Sequence, residues 1–216
     1  MEILFTFLVA AGLSFFGSVF LGLVNVAVIQ AAITRSEKSA LWLAFGGVLP
    51  EIPYSLIAII GTSYVDLLSA YEKHIAVTIS FVFILIGISY LFKKNIEIGS
   101  TKSEEVGALA HFTKGLLLAI ANPQLIFFWS GYLLLFQTGT FSDGPFFDFS
   151  QGIWGIVSWM FALGAAAGAF LILFIYTKLS SIYKEQLVKL IGDKMGKVIG
   201  FLFIGLGIIS LVSNAL

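Results

Sequence analysis

The sequence predicts an all-α integral membrane protein of six transmembrane helices, arranged as two inverted three-helix repeats. Three observations predict it. Of the 216 residues, 59% are hydrophobic and 11% charged, against about 25% charged in a soluble domain. Six apolar runs are each long enough to cross a hydrocarbon layer, which takes about 20 residues. All but one of the 12 basic residues fall in alternate connections between those runs. The formal net charge is zero and cysteine is absent. The first gives no reason to expect a nucleic-acid partner, and the second excludes disulfides, thiolate metal sites and S-palmitoylation.

The first run, 3–33, is longer than one straight span needs and carries Gly12, Gly17, Ser18, Gly22, Asn25 and Gln30. Run two is 41–63 and run three 75–92. A polar stretch, 93–111, separates them from run four, 112–136. Residues 138–150 form a loop rich in Phe and Asp, read as an interfacial aromatic belt, with a gating loop as the alternative. Run five is 152–176 and run six 196–216. Between them, Tyr183, Leu187, Leu190, Ile191 and Met195 recur at helical spacing among lysines, the pattern of an interfacial amphipathic helix. One transmembrane domain thus divides into repeat 1 (1–92), a linker (93–111) and repeat 2 (112–216).

Arg35 and Lys38 lie between runs one and two, and Lys93, Lys94, Lys102 and Lys114 between three and four. Lys178, Lys184, Lys189, Lys194 and Lys197 lie between five and six; only Lys73 falls on the opposite side. Basic loops stay in the cytoplasm. The expectation is a multi-pass protein of a bacterial-type cytoplasmic membrane, with both termini outside. An odd number of spans per half makes the halves inverted, a common transporter plan.

Chemistry concentrates at Gly46-Gly47-Val48-Leu49-Pro50-Glu51-Ile52-Pro53-Tyr54. A charge at the bilayer centre costs roughly 2.5–3.5 kcal/mol on insertion scales. Pro50 and Pro53 would free the carbonyls of Gly46 and Leu49 from their helical partners, so span two is expected to be broken. Glu51 beside bare carbonyls would hold a proton, a cation or an ammonium group. A helical rise of about 1.5 Å per residue places Asn25 about 15 Å, Glu51 about 18 Å and Asn122 about 12 Å from the basic edge. Half a hydrocarbon core is about 15 Å, so all three approach the midplane. Asn122-Pro123 is a helix start, since Asn suits the N-cap and Pro the first helical position. Span four should therefore break there, and span one near Gly22 with Asn25 as the cap. Half-helix N-termini suit a carboxylate; interhelical hydrogen bonding by both asparagines is the competing reading. Gly164 and Gly168, and Gly192, Gly196 and Gly200, stand four apart as close-packing stripes. Whether they join helices of one chain or of a homo-oligomer stays open.

Val26 to Arg35 followed by Gly46, Gly47 and Glu51, together with Phe112-Thr113-Lys114-Gly115 through Asn122-Pro123-Gln124, resembles the lysine exporter (LysE-type) translocator family, which includes homoserine and threonine exporters. The family's Pro-Gly-Pro motif is represented here by Leu21-Gly22-Leu23, of which only Gly22 matches. The resemblance implies proton-driven export of a small molecule, usually an amino acid. It implies no cofactor and no metal. Expected site residues are Glu51, Asn25 and Asn122 for substrate and proton, and Gly22, Gly46, Gly47, Pro50, Pro53 and Pro123 for the helix breaks. A cation channel or inorganic-ion transporter, and a membrane scaffold without substrate, are the alternatives.

Overall fold

The structure is a computed structural model that describes residues 2–19, 22–61, 107–120, 124–137 and 146–191, with individual helical positions between 77 and 91 and between 197 and 212. Every regular element among the described residues is helical. The chain forms two compact units. One comprises Met1–Val65 and Ser103–Ile182, the other Asp66–Lys102 and Tyr183–Leu216.

The larger unit begins with α1 (Glu2–Gly17) and α2 (Leu23–Thr34). The first apolar run is therefore two helices. Gly22, with extended backbone, is the N-cap of α2. Asn25 stands three residues inside the helix, which corrects its expected place as the cap. At the other end of α2, Thr34 Oγ1 donates to the Gln30 carbonyl and the Arg35 N–H to the Ala31 carbonyl. A two-residue link then leads to α3 (Glu37–Val48), where the Ser36 hydroxyl caps by accepting from the Ser39 N–H at 3.1 Å. Glu37 in the first turn complements the positive end of the helix.

α4 (Glu51–Gly61) follows α3 almost without a step. Leu49 keeps right-handed helical dihedrals, φ −57° and ψ −40°. Its carbonyl accepts from the Ile52 N–H at 3.2 Å, and the Pro50 carbonyl from the Tyr54 N–H at 3.0 Å. The expected bare Leu49 carbonyl is thus satisfied by a tightened turn. Span two is interrupted only by the turn at Leu49 and Pro50, and 37–61 as a whole is a 25-residue apolar stretch long enough to cross a membrane. Pro50 falls at the second residue of the joint, so the donor it lacks is lost where the ladder is already loosened.

α5 (Ala108–Ile120) and α6 (Gln124–Gln137) divide the fourth run. Ala121, Asn122 and Pro123 between them lie outside the described residues. α5 starts before the expected end of the 93–111 linker, which puts His111 in its first turn rather than in a loop. A short 3₁₀ turn, Gly152–Trp154, precedes α7 (Ile156–Ile182). Gly152 has φ +54°, the left-handed region that suits a residue without Cβ. The Ser158 hydroxyl donates to its carbonyl at 2.6 Å, fastening the turn to α7. At 27 residues, α7 is the second stretch long and apolar enough to span.

Two backbone-on-backbone contacts organise this unit. α1 lies against α7, where a Cβ on Gly164 would collide with the Phe7 carbonyl and one on Gly168 with the Ala11 carbonyl. α3 lies against α5, where Gly46 meets the Phe112 carbonyl and Gly115 the Leu43 carbonyl. The Gly164 and Gly168 stripe therefore joins helices of one chain. Side chains fill the rest as two apolar clusters. The first gathers Val28, Leu43, Ala119 and Leu173 from α2, α3, α5 and α7. The second gathers Ala10, Ala58, Trp129, Phe161 and Phe147 from α1, α4, α6, α7 and the loop after α6. Large apolar side chains also face outward, such as Phe16, Leu8 and Leu171. Apolar surface on both sides of a helix suits a lipid surround.

In the smaller unit, α8 (Lys184–Ile191) occupies the start of the expected amphipathic helix. A Cβ on Gly87 would lie 2.6 Å from the Gly200 carbonyl oxygen, and one on Gly207 2.8 Å from that of Ser80. Ascending positions meet descending ones, so the two segments run antiparallel. Gly200 of the second glycine stripe thus also serves a contact within the chain.

Candidate functional site

The site is built where α4 begins. Glu51 is the first residue of α4 and only 4% exposed. Trp129, in the second turn of α6, is fully buried, and its Nε1–H donates to Glu51 Oε2 at 2.7 Å. A hydrogen bond inside a low-dielectric core is electrostatically stronger than one in water. Trp129 packs in the second cluster and is also the partner of the buried acid. A buried indole N–H nearly always needs an acceptor. That rule, applied to a tryptophan in mid-span, is the signal that points from Trp129 to a carboxyl.

Tyr54 follows Glu51 by three residues on the same face of α4. Its hydroxyl donates to the carbonyl of Ile120, the last residue of α5, at 2.8 Å. α4 therefore touches both described helices of the fourth run: α5 at Ile120 through Tyr54, and α6 at Trp129 through Glu51. Span one has a counterpart. The Tyr176 hydroxyl of α7 donates to the Val19 carbonyl at 2.6 Å, just past the end of α1. Both tyrosine caps were missed in the sequence, because a tyrosine three residues from an acid and one near a span end carry no local signature.

Asn25 is buried, and its side-chain amide donates to the Ser18 carbonyl at 2.7 Å, tying α2 back across the division to the end of α1. Gly47, one turn before Glu51, faces α2: a Cβ there would overlap the Val24 side chain, next to Asn25. The start of α2 and the joint of span two are thereby brought side by side. Asn122 and Pro123 lie outside the described residues. On α1, the buried hydroxyls of Thr6 and Ser14 find no hydrogen-bond partner among the described residues. They flank Ala10, which packs in the cluster of Trp129 and Phe161.

The loop after α6 differs from the expected interfacial belt. Phe147 is 2% exposed, at the centre of the second cluster, and packs on Phe136, Phe149 and Phe161. Asp148 next to it is exposed. The Ser150 hydroxyl and N–H donate to its carboxylate and hold it below the usual carboxylate range. Phe147 is thus part of the helix core, with the exposed Asp148 beside it, rather than a ring at the lipid boundary. At the opposite end of α7, Lys178 pairs with Glu37 at the start of α3.

With this geometry in place, the comparison with known families is decisive. The model of the LysE type translocator family matches residues 15–213. No curated protein and no solved structure matches the chain at a significant level. The chain belongs to the LysE type translocator family, whose members are integral membrane transporters of small solutes such as amino acids.

Proposed function

We propose that this translocator is a proton-coupled exporter of amino acids or similar small solutes, with Glu51 as the residue that takes up a proton or a substrate ammonium group. The observation that carries the reading is the buried Glu51 carboxyl, held by Trp129 across the interior from another span. An acid inside a membrane bundle is functional by default. Trp129 takes one carboxyl oxygen and leaves the other for a proton, while a substrate ammonium group would compete with the indole for the carboxylate. The substrate carboxylate goes to the half-helix starts at Gly22 and Asn122, whose N–H groups and dipoles favour an anion. Asn25 lines the first of these, and the Thr6 and Ser14 hydroxyls supply further polar contacts.

The transport frame in this reading is the inverted pair of three-span repeats in the cytoplasmic membrane, termini outside. Reciprocal pairings support it. The first half-helix of span one packs on span five, and the first half-helix of span four on span two. Each contact passes through glycines of the longer span. Tyr54 of span two caps span four, and Tyr176 of span five caps span one. Rocking of one repeat against the other would expose Glu51 to the two sides in turn.

The test is Glu51→Gln in proteoliposomes, with amino-acid efflux followed under an imposed pH gradient. Efflux driven by the gradient should fall at least about 100-fold, while the variant inserts and purifies like the parent. Undiminished gradient-driven efflux overturns the assignment. Conductance without a response to the pH gradient favours the channel reading, and an absence of any flux in the parent favours the scaffold.

A further inference from the structure

The rings around Trp129 form a continuous path from Glu51 to the loop at the end of the bundle. The Trp129 and Phe161 rings meet edge-on, with centroids 5.1 Å apart and planes at 76°. Phe161 and Phe147 do the same at 5.4 Å and 74°. Residues 146–149 lie across three helix ends. The Phe146 N–H donates to the Phe136 carbonyl of α6 at 3.0 Å, Phe146 packs on Phe5 of α1, and Phe147 and Phe149 pack on Phe161 of α7. Ser150 holds the exposed Asp148 in a local turn, so its neighbour Phe147 points into the core.

Close-packed interiors have discrete arrangements rather than continuous deformations. A tryptophan that moves away from Glu51 must displace Phe161, and Phe161 cannot move without Phe147. We propose that Trp129 is the positioning residue that couples the state of Glu51 to an aromatic plug, Phe147, at the Asp148 end of the bundle. The plug is shut while the indole N–H is bonded to the Glu51 carboxyl. It loosens when the carboxyl gives up that bond to a substrate ammonium group; a protonated carboxyl, like an amide, still offers the indole an acceptor oxygen. This rests on the reading of Glu51 as the translocation site, and it adds the element that the occupancy of Glu51 would move. It also accounts for a tryptophan at this place: phenylalanine would fill the cluster but could not sense the carboxyl.

The chain has no cysteine, so one introduced thiol reports without background. Ala58 of α4 is 1% exposed and buried in the same cluster as Phe147 and Trp129. The experiment measures N-ethylmaleimide modification of Ala58→Cys in the full-length protein in lipid nanodiscs. Glu51→Leu removes the acceptor and Trp129→Phe the donor; each should raise the labelling rate at least about tenfold, as should Phe147→Ala. The double variant Glu51→Leu with Trp129→Phe should label no faster than either single one, because one bond is lost in all three. Glu51→Gln keeps an amide oxygen that accepts the indole N–H, and should stay within about twofold of the parent. Protection unchanged in both Glu51→Leu and Trp129→Phe overturns the proposal, and so does equal acceleration by Glu51→Gln and Glu51→Leu. Failure of the transport role would appear separately, as normal gradient-driven efflux by Glu51→Gln with the labelling pattern intact.

Discussion

At the scale of single residues, the telling feature is how the polar groups around the helix divisions are answered by side chains from other spans. The Ile120 carbonyl has Tyr54, the Val19 carbonyl has Tyr176, and the Ser18 carbonyl has Asn25. Backbone left unpaired at membrane depth costs several kcal/mol, so a divided span needs such partners or a water-lined cavity. Replacing Tyr54 by Phe keeps the ring and removes one hydrogen bond. Measured interhelical bonds in membranes average about 0.6 kcal/mol, which sets the expected loss of stability on unfolding. The transport effect should be larger, because the hydroxyl holds a joint the cycle would move: initial efflux should change several-fold in Tyr54→Phe and in Tyr176→Phe. Melting curves and initial rates on the two variants check this. A loss of stability above about 2 kcal/mol, with rates unaltered, would make the caps purely structural. Asn25 was legible as a hydrogen-bonder between helices and a mid-span tryptophan as needing an acceptor, but not their specific partners: Glu51 and Trp129 are separated by 78 positions and Tyr176 and Val19 by 157, so local sequence does not pair them.

At the scale of elements, legibility followed the physics of the bilayer. Apolar runs were readable because lipid requires them, and the division in span one because Gly22 interrupts a helical pattern; Asn122 and Pro123 lie outside the described residues. Span two misled for a specific reason. Pro50 and Pro53 remove donors, but three residues apart they share one tightened turn, where the Leu49 carbonyl finds the Ile52 N–H. The Phe-rich loop misled because a lipid-facing belt and a buried plug have the same composition; only the neighbour, an Asp148 fixed outward by Ser150, distinguishes them. Glycine spacing was read correctly as packing, and the structure adds which glycines carry it. A Cβ on Gly46 or Gly168 would meet backbone carbonyl rather than a movable side chain, whereas Gly12 and Gly131 have nothing within 4 Å. Gly46→Ala and Gly168→Ala should therefore push α3 from α5 and α1 from α7, costing about 1–3 kcal/mol as overpacking does. Gly12→Ala and Gly131→Ala should melt within about 0.5 kcal/mol of the parent, or slightly above it, since Ala is the better helix former. Thermal unfolding followed by size-exclusion fluorescence separates the pairs, and equal behaviour of all four would mean the close approaches are not strained by a methyl group.

At the scale of the whole molecule, two ends of the larger unit differ in kind. At the Asp148 end, Phe146, Phe147 and Phe149 pack on Phe5 of α1 and Phe161 of α7. At the end with Arg35, the Lys178 and Glu37 side chains join α7 to α3, each more than a third exposed. An exposed pair of this kind contributes about 0–1 kcal/mol to stability, too little to hold the fold and enough to bias a balance between two arrangements. In the proposed cycle these helices come from opposite repeats, so the pair would favour closure on the basic, cytoplasmic side. Removing it with Lys178→Ala should leave the melting temperature within about 2 °C of the parent. It should shift the transporter toward opening on that side, lowering the apparent KM for internal substrate about 2–5-fold. Exchanging the charges, Glu37→Lys with Lys178→Glu, should restore the parent value, while either reversal alone puts like charges together and should exceed the effect of Lys178→Ala. The effect should also fade as salt rises from 0.05 to about 0.5 M, because an exposed pair is screened where a packed plug is not. Vesicles loaded with graded substrate and assayed at two ionic strengths give all of these comparisons. An unchanged KM in the single reversals would assign closure of this end to helix packing alone.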